Sequence, residues 1–427
     1  MMHFEYRSHP ARVIFGNGKW EELPRHLSSY KRVMIIAGER LQPLTAYLKE
    51  HLGADRVTVF SRIAQHVPQN LVDDAAAHLR EFRPDVLVAL GGGSAIGLAK
   101  AVALAGMNMP RPLPIVAVPT TFSGSEQTDI WGISTSEGKQ TGRSDHVLPV
   151  LVLYDPALFR SMPAGLAVTS AMNALAHLVE AVYAPDGNPL TVGQAQQGIR
   201  SIRKGLISLA GIMSLPGITP PSGITPLLEI TPPSGITPLP EITPLPEGKR
   251  PVANATDRET GGDPEEAAVK VPENPPGGEP SRIPEEIAGT LLFGAFLAGK
   301  CLREVSMSLH HKAAHVLGGS FGLDHAGAHT VLLPHVLQYQ WPHLEGRIRQ
   351  DFEQVLGPNP AEQIRHLAKN AGGPVDLKSF GFKKSDIPKA VEIILSKPYG
   401  NPAPLERDRL TRMLENARNG LLPSEGL

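Results

Sequence analysis

Asp85-Val-Leu-Val-Ala-Leu90-Gly91-Gly92-Gly93-Ser94-Ala-Ile-Gly97-Leu-Ala-Lys100 runs from an apolar strand through three glycines into the start of a helix. A strand apolar on both faces belongs in a parallel sheet covered by helices on each side. The glycines permit a tight turn and let backbone N–H groups approach an anion, and the following helix adds partial positive charge at its N-terminus. A pyrophosphate is the natural occupant. The spacing is not the G-x-G-x-x-G of the ordinary dinucleotide fold, and many α/β loops carry glycines for steric reasons alone. The strand–turn–helix context favours phosphate binding.

Outward from this turn the same alternation repeats. Arg32–Ala37 and Pro114–Val118 read as buried strands, and Asn70–Arg80 has helical composition. Residues 1–157 are therefore expected to form a doubly wound α/β layer. After the third strand, Pro119-Thr120-Thr121-Phe-Ser-Gly-Ser125-Glu126 places hydroxyls where a ribose or nicotinamide would sit, although Thr, Ser and Gly are also ordinary turn residues. From about Pro163 the pattern turns helical, with segments at 170–183, 194–213, 287–317 (one helix or two), 359–371 and 405–419. Residues 158–427 thus predict an all-α domain. Ile218–Glu247 interrupts it with five copies of a six-residue unit, ITPPSG or close variants, and the chain stays Pro-, Gly- and charge-rich to about Arg282. A proline in every copy forbids helix and removes sheet donors. Residues 217–282 therefore predict a disordered insert rather than a β-solenoid.

Composition narrows the class. With 427 residues, two domains are the expectation. The charges nearly cancel, 41 basic against 42 acidic, so nothing argues for nucleic acid or an anionic membrane as partner. The single cysteine, Cys301, excludes an intrachain disulfide framework and suits a reducing cytoplasm. No apolar run approaches the roughly 20 residues a bilayer span requires, and the N-terminus lacks the order of a secretory signal.

Six of the 16 histidines fall between His310 and His335. His311 and His315 share a helix face if 302–317 is helical, Gly318-Gly319 would end that helix, and His325 and His329 follow on the return. Asn173 and His177 form a second i, i+4 pair on another helix, and such pairs can converge on one site. A lone buried histidine is usually a hydrogen-bonded core residue, the reading given to His310 and His335; four in twenty residues with a remote fifth point to a functional cluster.

GGGSAIGLAK, PTTFSGSEQT, MNALAHLVEA and HHKAAHVLGGSFGLDHAGAHT, in this order, resemble the iron-containing alcohol dehydrogenase superfamily. Within it the resemblance is to the maleylacetate reductase branch, on Gly97 in place of an acidic residue, Trp131-Gly-Ile, Thr141-Gly-Arg143, Asn173 and His329. The resemblance implies a cleft between an α/β and a helical domain, a homodimer, and NADH or NADPH held by Gly91, Gly92, Gly93, Ser94, Thr120, Thr121 and Ser125. Glu39 or Arg40, after the second strand, bears on the choice between the two nucleotides. In metal-dependent relatives an Asp and three histidines hold iron or zinc, at positions matching Asn173, His177, His311 and His325; His315 and His329 would line the substrate cavity. Asn173 replaces an anionic ligand by a neutral amide, a poorer partner for a divalent cation, though three imidazoles can still bind zinc. The implied reaction reduces the carbon–carbon double bond of maleylacetate to 3-oxoadipate in the breakdown of aromatic compounds. His177, His311, His325 and His329 are its candidate enolate stabilisers or proton donors, and Lys139, Arg143 and Lys312 its partners for a dianionic substrate. Two rivals remain at this stage: a metal-dependent alcohol dehydrogenase or aldehyde reductase of the same superfamily, and an inactive homologue disrupted by the insert.

Overall fold

The computed structural model describes residues 11–107, 112–136, 138–213, 283–397 and 399–422, with Phe4 and Tyr6. The repeats of 217–282 lie outside the described residues. The strands are β1 (Arg12–Phe15), β2 (Val33–Ala37), β3 (Val57–Phe60), β4 (Val86–Gly91), β5 (Ile115–Pro119), β6 (Ile130–Thr135), β7 (Gly138–Arg143) and β8 (Leu151–Tyr154). Six form one parallel sheet in the order β1-β8-β5-β4-β2-β3, while β6 and β7 make an antiparallel hairpin. Every residue of β2, β4, β5 and β8 is buried, as the doubly apolar runs require. Alternate residues feed opposite faces: Val33, Ile35, Val86 and Val88 enter one core, Met34, Ile36, Leu87 and Ala89 another.

α1 (Leu23–Leu27), α2 (Gln42–Leu52), α3 (Gln69–Phe82) and α4 (Gly93–Ala105) belong to this α/β part. From β2 the chain steps outward to β3, and from β4 it steps the other way to β5. The winding therefore reverses between β2 and β4, which opens a crevice at their carboxyl ends. The turn at Gly91–Gly93 stands at that crevice.

The helical part comprises α5 (Ala164–Val182), α6 (Pro189–Met213), α7 (Glu285–Glu304), α8 (Leu309–Phe321), α9 (His325–Gln340), α10 (Gly346–Leu356), α11 (Pro360–Asn370), α12 (Ile387–Leu395) and α13 (Arg407–Asn419). α6 and α7 pack antiparallel along glycines. A Cβ on Gly205 would stand 2.5 Å from Leu291 Cδ2, and one on Gly294 would stand 2.7 Å from Ile202. α5, 19 residues long, meets the length and apolarity of a membrane span, contrary to the expectation that no such run exists; 83% of its apolar window is buried inside the protein, as in a core helix.

The helix expected over 302–317 is corrected. α7 stops at Glu304, Val305 is extended (φ −132°, ψ 161°), and α8 starts at Leu309. A buried carboxylate from α5 takes the N–H groups of Ser308 and His310, which favours a new helix start there. Gly318-Gly319 does not end α8 either. The helix runs on to Phe321 and stops where Gly322 adopts the left-handed conformation (φ 70°).

Candidate active site

The two loops read separately in the sequence touch each other. Gly91 has φ +147°, a conformation L side chains rarely adopt, and its Cβ would lie 2.9 Å from Ala95 Cβ. A Cβ on Gly92 would stand 2.8 Å from Thr121 Cγ2, and the Thr120 N–H donates to Gly91 O at 3.0 Å. α4 opens with no side chain capping its first N–H groups, and Gly92, Gly93, Ser94, Thr120, Thr121 and Ser125 are all partly exposed. Exposed N–H groups at a helix N-terminus, beside hydroxyls, in space that any side chain at 92 would fill, fit a dinucleotide pyrophosphate. Glu39 and Arg40 are both exposed on the short turn that follows β2.

Lys100, unassigned in the sequence reading, ties this cradle together. It is wholly buried, and its Nζ donates to the carbonyls of Ser125 (2.6 Å), Thr128 (2.7 Å) and Ile130 (3.0 Å). Burial pulls its pKa down to about 7 against the opposing charges of Glu126 and Asp129. α4 is thereby fastened to the loop that carries Ser125.

Four predicted histidines come together, from three helices. The rings of His177 (α5) and His311 (α8) stack with centroids 4.7 Å apart; His329 (α9) lies 5.0 Å from His311, and His325 lies 4.4 Å from His329. His315 joins at 5.9 Å from His325. Burial, and then the neighbouring imidazoles, hold His177, His311 and His329 well below the ordinary imidazole range. Burial likewise lowers His325 to about 4 and His310 to about 3. These depressions favour the neutral form of the cluster near pH 7 in the free protein.

Two residues acquire roles that the sequence reading withheld. Glu180, wholly buried, sits one turn after His177 on the face shared with Asn173, a spacing that could have revealed it. Its Oε2 lies 2.5 Å from His311 Nδ1. His310, read as an ordinary core residue, bonds His329 through Nε2 and Nδ1 at 2.9 Å.

Asn173 Oδ1, His177 Nδ1, His311 Nε2 and His329 Nε2 are buried without a hydrogen-bond partner among the described residues. Such orphaned acceptors and donors are rare in proteins and mark places where another molecule is met. The metal positions that the resemblance implied are Asn173, His177, His311 and His325. Among the described residues, however, no three His, Cys, Asp or Glu side chains come together as a metal-holding group. No step below runs through a metal.

The rim carries positive charge. Lys139 on β7 bends across Gly132, where a Cβ would stand 3.2 Å from its Cε, and its charge contributes to lowering His66, His315 and His325. His66 and Val67 both hold positive φ (63° and 50°), a strained pair fastened to the hairpin where Ser134 N donates to Val67 O at 3.0 Å and Ser134 Oγ to His66 O at 2.8 Å. Nothing in the sequence signals that strain. A cleft of about 250 Å³ is lined by Ser308, His311, Lys312, His315, Lys397 and Tyr399. Arg143 is not gathered in: its guanidinium pairs with Asp129 at 3.2 Å and donates to Arg303 O at 3.0 Å. A larger open groove of about 450 Å³ on α6 and α7, around Arg200, Lys204 and Phe293, holds none of these histidines.

A phosphate-accepting turn at a sheet's switch point, with unpartnered imidazoles from a helical layer, defines a dinucleotide-dependent oxidoreductase. The chain belongs to the iron-containing alcohol dehydrogenase family: the pattern "Iron-containing alcohol dehydrogenase" matches residues 10–156, and "Fe-containing alcohol dehydrogenase family, C-terminal" matches residues 284–418. It is 35% identical to maleylacetate reductase of Pseudomonas sp. (strain P51), over 99% of each chain. Two solved structures are similar. Maleylacetate reductase from Agrobacterium tumefaciens has 27% identity and TM-score 0.78, and that from Rhizobium sp. strain MTP-10005 has 28% and 0.77; each match covers 99% of this chain and 100% of the other.

Proposed function

We propose that this chain reduces the carbon–carbon double bond of maleylacetate to give 3-oxoadipate, with NADH or NADPH as the reductant. The observation that carries the reading is a neutral, buried histidine cluster with a cationic rim, in a chain 35% identical along its length to a maleylacetate reductase. When bound, the reduced nicotinamide supplies hydride to the alkene carbon remote from the ketone. The cradle of Gly91–Ser94 with Thr120 and Thr121 holds the dinucleotide, and Lys100 keeps that cradle in place. Lys139, and Lys312 with Lys397, attract the substrate's two carboxylates.

Charge develops on the enolate oxygen as hydride adds. A neutral imidazole N–H held in a buried site stabilises such an oxygen without first losing a hydration shell. One proton must then reach the α-carbon. In this reading His329 passes it from Nε2 and His311 takes up the replacement proton at Nε2; both atoms are buried without a partner among the described residues. The substrate's negative charge favours the protonated imidazole and so raises histidines that are depressed in the free protein. Metal-free operation, a homodimer and a cytoplasmic location belong to the same proposal, supported by Asn173 in place of a carboxylate, by the resemblance, and by the single reduced cysteine.

The test is oxidation of NADH and of NADPH by the purified full chain with maleylacetate, in excess chelator, with metal content measured on the same sample. Turnover in chelator is expected. If maleylacetate is inert while added iron or zinc lets the protein oxidise a simple alcohol, the proposal fails and the metal-dependent reading replaces it.

A further inference from the structure

His311 could carry its single proton on either ring nitrogen, and the choice decides what it offers the cavity. The surroundings of Glu180 settle it. Oε2 accepts from Ser308 N–H at 3.0 Å and lies 2.5 Å from His311 Nδ1; Oε1 accepts from His310 N–H at 2.8 Å and from Tyr183 Oη at 3.4 Å. Two main-chain donors and a hydroxyl thus converge on both oxygens. A neutral carboxyl must turn one oxygen into a donor, whereas the anion accepts at every site. Burial raises the Glu180 carboxyl above its ordinary range, while His310 and the main-chain N–H groups of Ser308, His310 and His311 oppose that rise; the case for the anion rests on the converging donors.

We infer that Glu180 is a positioning residue: it fixes His311 with the proton on Nδ1, so that a bare Nε2 lone pair meets the substrate cavity. Glu180 starts α8 through the N–H groups of Ser308 and His310, and orients the imidazole one residue later. A carboxylate behind an imidazole sets its tautomer and raises its basicity. His311 then serves as the acceptor of the cluster, whereas His329, bonded through Nδ1 to His310 Nε2 at 2.9 Å, can present an N–H. This division of labour belongs to the protein itself and is independent of the substrate.

The test is the long-range proton–nitrogen NMR spectrum of the metal-free full chain labelled with ¹⁵N-histidine, His311→Gln assigning the resonance. A bare Nε2 and a protonated Nδ1 are expected for His311. In Glu180→Gln the side-chain amide can donate to Nδ1, so the proton should move to Nε2. kcat with maleylacetate should then fall at least tenfold, with the nucleotide KM within twofold. A proton on Nε2 in the wild-type protein overturns the inference, as does an unchanged tautomer in Glu180→Gln. If Glu180→Gln fails to fold, the wild-type spectrum decides alone. The spectrum reads the same if maleylacetate is not the substrate, so the two proposals fail separately.

Discussion

The two halves of the candidate site are built by opposite means. The proposed nucleotide cradle is made of missing side chains: Gly92 leaves space that Thr121 borders, and exposed main-chain N–H groups face it. The histidine cluster is made of buried side chains, and one ring nitrogen each of His177, His311 and His329 lacks a partner among the described residues. The first tolerates no added atoms, and the second depends on neutral groups kept away from water. Chemistry and binding should therefore be separable by mutation.

The sharpest separation is His311→Ala. It should lower kcat by roughly 10²–10⁴-fold, the usual contribution of a positioned proton-transfer group, and leave the nucleotide Kd within twofold. Steady-state kinetics with fluorescence titration of the nucleotide checks both; comparable losses in the two would break the comparison. Next, Gly92→Ala places a methyl 2.8 Å from Thr121 Cγ2. Overpacking of about 1–3 kcal/mol should raise the nucleotide KM on the order of ten- to a hundredfold, with a smaller change in kcat at saturation.

A pH effect follows from the neutral histidines. His335 is buried, both its ring nitrogens lack a partner among the described residues, and burial lowers its pKa to about 3. The unfolded chain has a histidine pKa near ~6.5. Between these values the unfolded state binds the extra proton. Stability is thus full above about pH 6.5 and is lost as pH falls, by about 1.4 kcal/mol per pH unit. His335→Leu should remove that loss, gaining about 2 kcal/mol over the wild-type protein at pH 5 relative to pH 7.5. Denaturant midpoints at the two pH values measure it; equal shifts at both would refute the buried neutral state. The smallest effect is expected from replacing 217–282 with a short flexible linker, which should alter soluble yield and kcat by less than about twofold, since loop length costs little.

Much of this was legible in the chain. The runs at Arg32–Ala37, Asp85–Leu90 and Pro114–Val118 are apolar on both faces, and they became β2, β4 and β5 of the parallel sheet. The histidines at i, i+4 spacing converged because α5, α8 and α9 pack together. The place of the break between α7 and α8 was not legible, because its cause, Glu180, lies 128 residues from Ser308 in the chain. Arg143 shows the same limit: its motif was visible, but its partner Asp129 was not. The strained pair at His66-Val67 escapes any reading by composition, since neither residue favours positive φ.

The glycine seam between α6 and α7 has a consequence for how the polypeptide can be supplied. The two helices meet along their length, at Gly205 against Leu291 and Gly294 against Ile202. The chain should therefore survive being cut between them. Two separately expressed pieces, ending after Met213 and beginning before Glu285, each carry one face of the seam. Each also carries part of the histidine cluster, so recovered activity on mixing would report their reassembly.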